Sequence, residues 1–240
     1  MKVAPKILFL FRDPEGFSAA IADAIFPNPN SSLRRLEEHF ELSLEHYGVK
    51  DRKACGDFFH FVDDKGVYQV SLLLLEKYET PVLVCAMNEV LVQIVAETST
   101  LLPTLVVPFI LASSKLKFEN ITLANGSDVK LYGVQIGPET DSSQIIGTRT
   151  QKAPSSLQIH YEPLACFLQL VRVLKFQTSV IIGQRHGSSD KSIGKELEVL
   201  YEIGEIVADT TSLCFLRDMV TWNPAKKLKD GEEPWRALYG

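Results

Sequence analysis

Val67-Tyr68-Gln69-Val70-Ser71-Leu72-Leu73-Leu74-Leu75 runs through Glu76-Lys77-Tyr78-Glu79-Thr80-Pro81 into Val82-Leu83-Val84-Cys85-Ala86, and the reading of this stretch decides the fold class. The run at 82–86 is apolar at every position. A half-solvated antiparallel strand would alternate apolar with polar residues, so the run predicts a central strand with helices above and below it. Asn88 then serves as the N-cap of a helix that carries Val90, Leu91, Ile94, Val95 and Thr98 on one face. Strand, turn and helix in that order form an α/β unit around a covered sheet.

Working outward towards the N-terminus, Phe58-Phe59-His60-Phe61-Val62 and the turn Asp63-Asp64-Lys65-Gly66 predict a hairpin with residues 67–75, which makes the sheet mixed. Ser31 or Ser32 can cap a helix in which Leu33, Leu36, Phe40, Leu44 and Tyr47 recur at helical spacing. Ile7-Leu8-Phe9-Leu10-Phe11 reads as a first buried strand, stopped by Arg12-Asp13-Pro14-Glu15-Gly16 and followed by a short helix to Phe26.

Towards the C-terminus, Leu105-Val106-Val107-Pro108-Phe109-Ile110-Leu111 is strand-like, and Pro108, which lacks a backbone donor, predicts an edge or a bulge. Residues 117–123 and 129–136 flank the Asn125-Gly126 turn signal and read as a further hairpin. Residues 138–156 are mostly Thr, Ser, Gln, Gly and Pro and are expected to form a mobile loop. Pro163 fits the first turn of a helix striped by Leu164, Phe167, Leu168, Val171 and Leu174. Ser179-Val180-Ile181-Ile182-Gly183 is another central strand, and a helix with Ile193, Leu197, Leu200 and Val207 precedes a last apolar run at 213–216. The whole predicts a three-layer α/β/α sandwich with a mixed, mostly buried sheet, nucleoside-phosphorylase-like in architecture. Residues 1–222 form one domain in this reading, and 223–240 a polar linker and tail.

The composition narrows the function classes. The chain has 240 residues, 45% of them hydrophobic, and a formal net charge of -5, an acidic balance that argues against nucleic acid as the main partner. The longest apolar stretch is broken by Glu76, Lys77 and Glu79, so no membrane span is expected. Met1 to Arg12 is too short and too soon charged for a secretory signal, which places the expected site of action in the cytosol or nucleus. The four cysteines, Cys55, Cys85, Cys166 and Cys214, form no Cys-x-x-Cys pair and are expected as free thiols. Asn120-Ile121-Thr122 and Asn125-Gly126-Ser127 match the glycosylation pattern, but with no export signal they read as turn residues. Among the histidines only His39 and His46 are near each other, too far apart on a helix to share an ion, and neither a metal nor a cofactor is expected.

Two stretches could carry function. Gly183-Gln184-Arg185-His186-Gly187-Ser188-Ser189-Asp190-Lys191 lies where a strand feeds a helix, the position at which open α/β sheets bind anions. Arg185, His186 and Lys191 are the candidate anion ligands there, although the spacing is not that of a phosphate loop. The second stretch follows Asn223. A charged linker with Pro224, Lys226, Lys227, Lys229, Asp230, Gly231, Glu232, Glu233 and Pro234 gives way to Trp235-Arg236-Ala237-Leu238-Tyr239-Gly240, the form of a tethered binding peptide, with Trp235 able to anchor it on the domain.

Val70-Ser71-Leu72-Leu73-Leu74-Leu75-Glu76-Lys77-Tyr78, with the helix from Pro163 that feeds Ser179-Val180-Ile181-Ile182, resembles the proteasome assembly chaperone 1 family. The last three residues, Leu238-Tyr239-Gly240, fit the hydrophobic-Tyr-any-residue motif of proteasome-binding C-termini. The resemblance does not extend to the first 60 residues or to 113–156. It implies an α/β/α fold, a heterodimer with proteasome assembly chaperone 2, and guidance of α-ring formation in the proteasome core particle. On that view the chain is not an enzyme, and its partners are chaperone 2 and proteasome α-subunits. The competing reading is a small-molecule enzyme of nucleoside-phosphorylase type that binds phosphate at 183–191. Fold alone does not separate the two.

Overall fold

Residues 1–97, 101–117, 129–185 and 192–222 are described by the structure, a computed structural model. In chain order the elements are β1 (Lys6–Phe11), α1 (Phe17–Ala24), β2 (Ile25–Phe26), β3 (Arg34–Ser43), β4 (Lys53–Val62), β5 (Tyr68–Leu75) and α2 (Val82–Glu97). Next come β6 (Thr104–Ala112), β7 (Leu116–Lys117), β8 (Leu131–Ile136), α3 (Asp141–Arg149), β9 (Gln151–Lys152) and β10 (Gln158–Ile159). The last are α4 (Glu162–Val173), β11 (Thr178–Arg185), α5 (Ser192–Thr211) and β12 (Cys214–Phe215).

Eight strands form one sheet in the order β3-β4-β5-β1-β6-β11-β8-β9. The centre is parallel: β1 pairs with both β5 and β6, and β6 with β11. β3 and β4 add an antiparallel ribbon on one side and β8 an antiparallel strand on the other. The alternation of side chains along each central strand divides the core in two. Ile7, Phe9, Phe11, Leu73, Leu105 and Val107 pack against α2 and α4. Leu8, Leu10, Leu72, Leu74, Val106 and Ile181 pack against α1 and α5. This is the expected three-layer α/β/α sandwich with a mixed sheet.

Four local expectations are corrected. Residues 82–86 are not a strand but the start of α2, which runs without a break through Asn88. Leu83, Ala86, Met87, Val90, Leu91 and Ile94 are buried, a three-and-four spacing that turns one face of a helix to the sheet. Pro81 supplies the first turn, where its missing donor costs nothing: the amides of Val84 and Cys85 donate to its carbonyl oxygen. Asn88 is therefore no cap, and its Nδ2 donates to the Tyr47 hydroxyl at 2.6 Å. The α/β unit exists, but its strand is β5.

Residues 34–43, expected as helix, are the edge strand β3, paired along its length with β4. Leu36, Phe40 and Leu44 satisfy a period of two as well as the helical spacing, Leu42 fits only the former, and the neighbouring hydrogen-bond ladder decides between them. Residues 138–156 contain α3. The Thr140 hydroxyl accepts from the Ser143 amide and the Ser143 hydroxyl accepts from the Thr140 amide, a reciprocal cap. Ile146 is buried, and Arg149 reaches Glu202, Glu205 and Asp209 on α5 at 3.1, 3.3 and 2.7 Å.

Pro108 lies in a central strand, opposite Ile181 of β11. The Leu105 amide donates to Gln177 on the β11 side. Successive amides alternate sides, so the donor missing at 108 would point towards β1. The ladder to β1 has already ended at Leu8–Val106. Proline is tolerated because β1 and β6 diverge there. The Asn125-Gly126 turn, with most of the hairpin predicted around it, lies outside the described residues.

Candidate functional site: the crevice at the carboxyl ends of the central strands

The divergence of β1 and β6 coincides with the reversal of chain direction across the sheet: from β1 the chain continues to β5 on one side, and from β6 to β11 on the other. Such a switch point leaves a crevice beyond the carboxyl ends of the strands. Phe11, Asp13, Glu15, Phe109, Tyr161 and Arg185 are among its lining residues, around a cavity of about 80 Å³.

The loop after β1 builds one wall. Gly16, at φ 82°, turns the chain so that Asp13 faces the first turn of α1. The two Asp13 carboxylate oxygens accept from the amides of Phe17 at 3.0 Å and Ser18 at 2.8 Å, which fixes the wall to the helix dipole. Arg185, the last residue of β11, donates to Glu15 at 2.7 Å, and its other terminal nitrogen is 3.8 Å from Glu196 on α5. Its carbonyl oxygen accepts from the Ser113 hydroxyl at 2.9 Å. Burial raises the carboxyl pKa of Glu196, with Glu15 adding to the rise and Arg185 opposing it. Burial likewise pushes the Tyr161 hydroxyl up to about 12, helped by the charges on Asp13 and Glu15.

Two cations, Arg185 and Lys115, line the crevice with Asp13 and Glu15, and Arg185 is already held by Glu15 and Glu196. A phosphate entering here would have to displace Glu15 and then lie beside Asp13 and Glu196. The volume is also well below the ~300–1,000 Å³ of small-molecule sites. No histidine or cysteine is among the described residues that line the crevice. Of the three anion ligands expected from the sequence, Arg185 is committed to carboxylates, while His186 and Lys191 lie outside the described residues.

Trp222 is the contributor that sequence reading missed. Its indole nitrogen donates to the Glu15 carbonyl oxygen at 3.0 Å, and its ring stacks on Phe17 with centroids 4.7 Å apart. The end of the described chain is thereby pinned to the rim of the crevice. A tryptophan just before Asn223-Pro224, where the composition turns polar, was the available signal. Trp235, Leu238, Tyr239 and Gly240 lie outside the described residues.

A larger cavity, of about 570 Å³, opens at the opposite flank of the sheet between β8, α3 and β9. Gln135, Ser143, Gln144, Thr150, Lys152 and Ser179 face it. Ser179 donates to Gln135 Oε1 at 2.7 Å. The lining mixes apolar groups with amides and hydroxyls, has Glu139 and Lys152 as its charged members, and contains neither histidine nor cysteine among the described residues. No helix among the described residues is long and apolar enough to cross a membrane.

Comparison with known proteins adds the following. A family model described as "Domain of unknown function (DUF7894)" matches residues 1–240. No protein of curated function matches in sequence. Among solved structures, a Thermoplasma acidophilum protein of unknown function is similar at 14% identity over 98% of this chain and 88% of that one, with a TM-score of 0.54. The Mycobacterium tuberculosis protein Rv2714, of unknown function, is similar at 10% identity over 98% of this chain and 79% of that one, with a TM-score of 0.52. Pyrococcus furiosus PbaB, described as an archaeal proteasome activator, is similar at 8% identity over 100% of this chain and 96% of that one, with a TM-score of 0.51. At these identities the likeness is one of fold.

Proposed function

We propose that this chain, which belongs to the DUF7894 family, is a non-catalytic proteasome-associated chaperone that promotes assembly of the α-ring of the core particle. In the finer form of the proposal it works as a heterodimer with proteasome assembly chaperone 2, and Leu238-Tyr239-Gly240 docks between neighbouring α-subunits. The observation that carries the reading is the position of Trp222. Its hydrogen bond to Glu15 and its stacking on Phe17 make a fixed point from which residues 223–240 begin. A peptide tethered to a docked body binds as an intramolecular ligand, and this raises its effective concentration.

Two further observations support it: the sequence resemblance at 70–78 and 238–240, and a fold shared with a protein described as a proteasome activator. The phosphorylase alternative is disfavoured by the neutralised Arg185 and the small volume of the crevice.

The test is the affinity of the full chain for purified proteasome α-rings. Tyr239 would supply a rigid apolar ring with a hydroxyl. Truncating such an anchor costs about 2 kcal/mol, so Tyr239→Ala should weaken binding roughly thirtyfold. Equal affinity for wild type and variant would eliminate tail docking, and failure of the wild type to bind α-rings would eliminate the function. Sedimentation of a mixture with proteasome assembly chaperone 2 tests the heterodimer, whose absence would leave a chaperone acting without that partner.

A further inference from the structure

The β3–β4 ribbon brings together side chains that a helix over 31–47 would have kept on different faces. In the observed register His39 is opposite Asp57 and Glu41 is opposite Cys55. Residues two apart on a strand share a face, so the four side chains occupy the corners of one rectangle. One ligand atom from each of His39, Glu41 and Cys55 lies within 4.8 Å of the other two.

The imidazole is already oriented. His39 Nδ1 is 3.0 Å from Asp57 Oδ1, while Nε2 faces Glu41 Oε1 at 4.0 Å. Asp57 is fixed in its turn by Arg12 at 2.8 Å, and Arg12 by Glu76 at 2.7 Å. A carboxylate on one ring nitrogen selects the tautomer that presents the lone pair of the other, the arrangement found behind metal-bound histidines.

We propose that His39, Glu41 and Cys55 bind a divalent transition-metal ion, zinc in the reduced protein, with Asp57 positioning His39 from behind. Mixed nitrogen, oxygen and sulfur donors suit zinc and exclude magnesium and calcium, which take oxygen ligands. On binding, the Cys55 thiol proton passes to solvent. Thiolate and carboxylate then balance the two positive charges of the ion, with a neutral imidazole as third ligand. Tetrahedral ligation draws the donors to about 3.5 Å from one another, a contraction that side-chain rotation supplies because His39 and Glu41 are half exposed. Lys53 sits on the other carboxylate oxygen of Glu41 at 2.6 Å and is exposed enough to stay there or swing away. Three protein ligands leave a fourth position open to water or to a donor from a partner. This site is independent of the proteasome reading, because it lies on the ribbon and uses neither the crevice nor the tail.

The experiment is titration of the full, reduced chain with Co²⁺, followed by Zn²⁺. One equivalent of Co²⁺ should produce a near-ultraviolet thiolate-to-cobalt charge-transfer band, and Zn²⁺ should bleach it. Cys55→Ser should abolish the band, and Cys214→Ser, a change of a similarly half-buried thiol on β12, should leave it intact. His39→Ala and Glu41→Gln should each weaken Zn²⁺ binding at least tenfold in competition with a chromophoric chelator. Asp57→Asn should retain the band and weaken Zn²⁺ binding 10–100-fold, the usual cost of losing a supporting carboxylate. Circular dichroism of each variant checks the fold, and the His39 and Glu41 variants decide the matter should Cys55→Ser not fold. Absence of the band at one equivalent, its survival in Cys55→Ser, or unchanged zinc affinity in the His39 and Glu41 variants would overturn the proposal.

Discussion

The parallel centre of the sheet and the outer strand of the β3–β4 ribbon are held by different forces. β1 is buried along almost its whole length, and helices cover it on both faces. β3 buries Phe40 and leaves most of its remaining side chains exposed. The centre is stabilised by apolar area removed from water; in the ribbon β4 still buries Phe58, Phe61 and Val62, whereas β3 is held chiefly by its backbone ladder, with charge pairs such as Lys53–Glu41 and His39–Asp57 across it. Exposed pairs of this kind are screened by water and contribute little to stability. The exposed face of the ribbon is therefore the part of the molecule whose side chains are free to serve something other than folding, and it is where the ligand set lies.

The largest expected effect belongs to the centre. Phe9 is fully buried, with ring centroids 4.9 Å from Phe11 and 5.3 Å from Phe167. Phe9→Ala should lower stability by about 3–5 kcal/mol in chemical denaturation. A loss below about 1 kcal/mol would mean that the two-sided burial of β1 is not what holds the sheet.

Gly56→Ala sharpens the contrast from the ribbon side. A Cβ at this β4 position would stand 2.5 Å from the Leu74 carbonyl oxygen and 2.8 Å from the Phe40 ring. The Leu74 contact is backbone and cannot rotate away, so a loss of about 1–3 kcal/mol is expected. Its absence would show that the ribbon shifts as a unit at little cost. The smallest effect is expected on the outer strand itself. Leu36 is 46% exposed, and Leu36→Thr should leave the unfolding midpoint almost unchanged, within about 0.5 kcal/mol. A larger loss would indicate that Leu36 is covered in solution.

How far the sequence could be read follows the same division. β1, β5 and β11 are continuous apolar runs bounded by turn residues, and burial on both faces leaves them no other pattern. β3 carried too few apolar residues to separate a period of two from one of three and four. At 82–86 the ambiguity ran the other way, since five consecutive apolar residues fit a buried strand or the start of a buried helix, and Pro81 was the discriminating residue. α3 escaped because it buries little beyond Ile146 and is held by a reciprocal cap and by Arg149, both of which depend on local geometry or on distant residues. The sequence marks Arg185 as lying where a central strand ends, but its partners were not legible. Glu15 is 170 residues away in sequence. The pairing of His39 with Glu41 was hidden by the helical reading, because in a strand residues 39 and 41 share a face, and Cys55 joins them only through the β3–β4 register.

The position of β1 also sets a timetable for synthesis. Of the described strands the earliest in the chain, β1, lies in the middle of the sheet, and its two neighbours, β5 and β6, begin only at residues 68 and 104. The helix that covers much of one face, α5, begins at residue 192. Until α5 is made, Leu8 and Leu10 have only α1 on their face of the sheet, and a nascent chain with exposed apolar strands is prone to wrong pairing. The β4–β5 hairpin, whose contacts are local, is the piece that can form early and wait. The face that carries Leu8 and Leu10 is therefore the last part of the core to be closed.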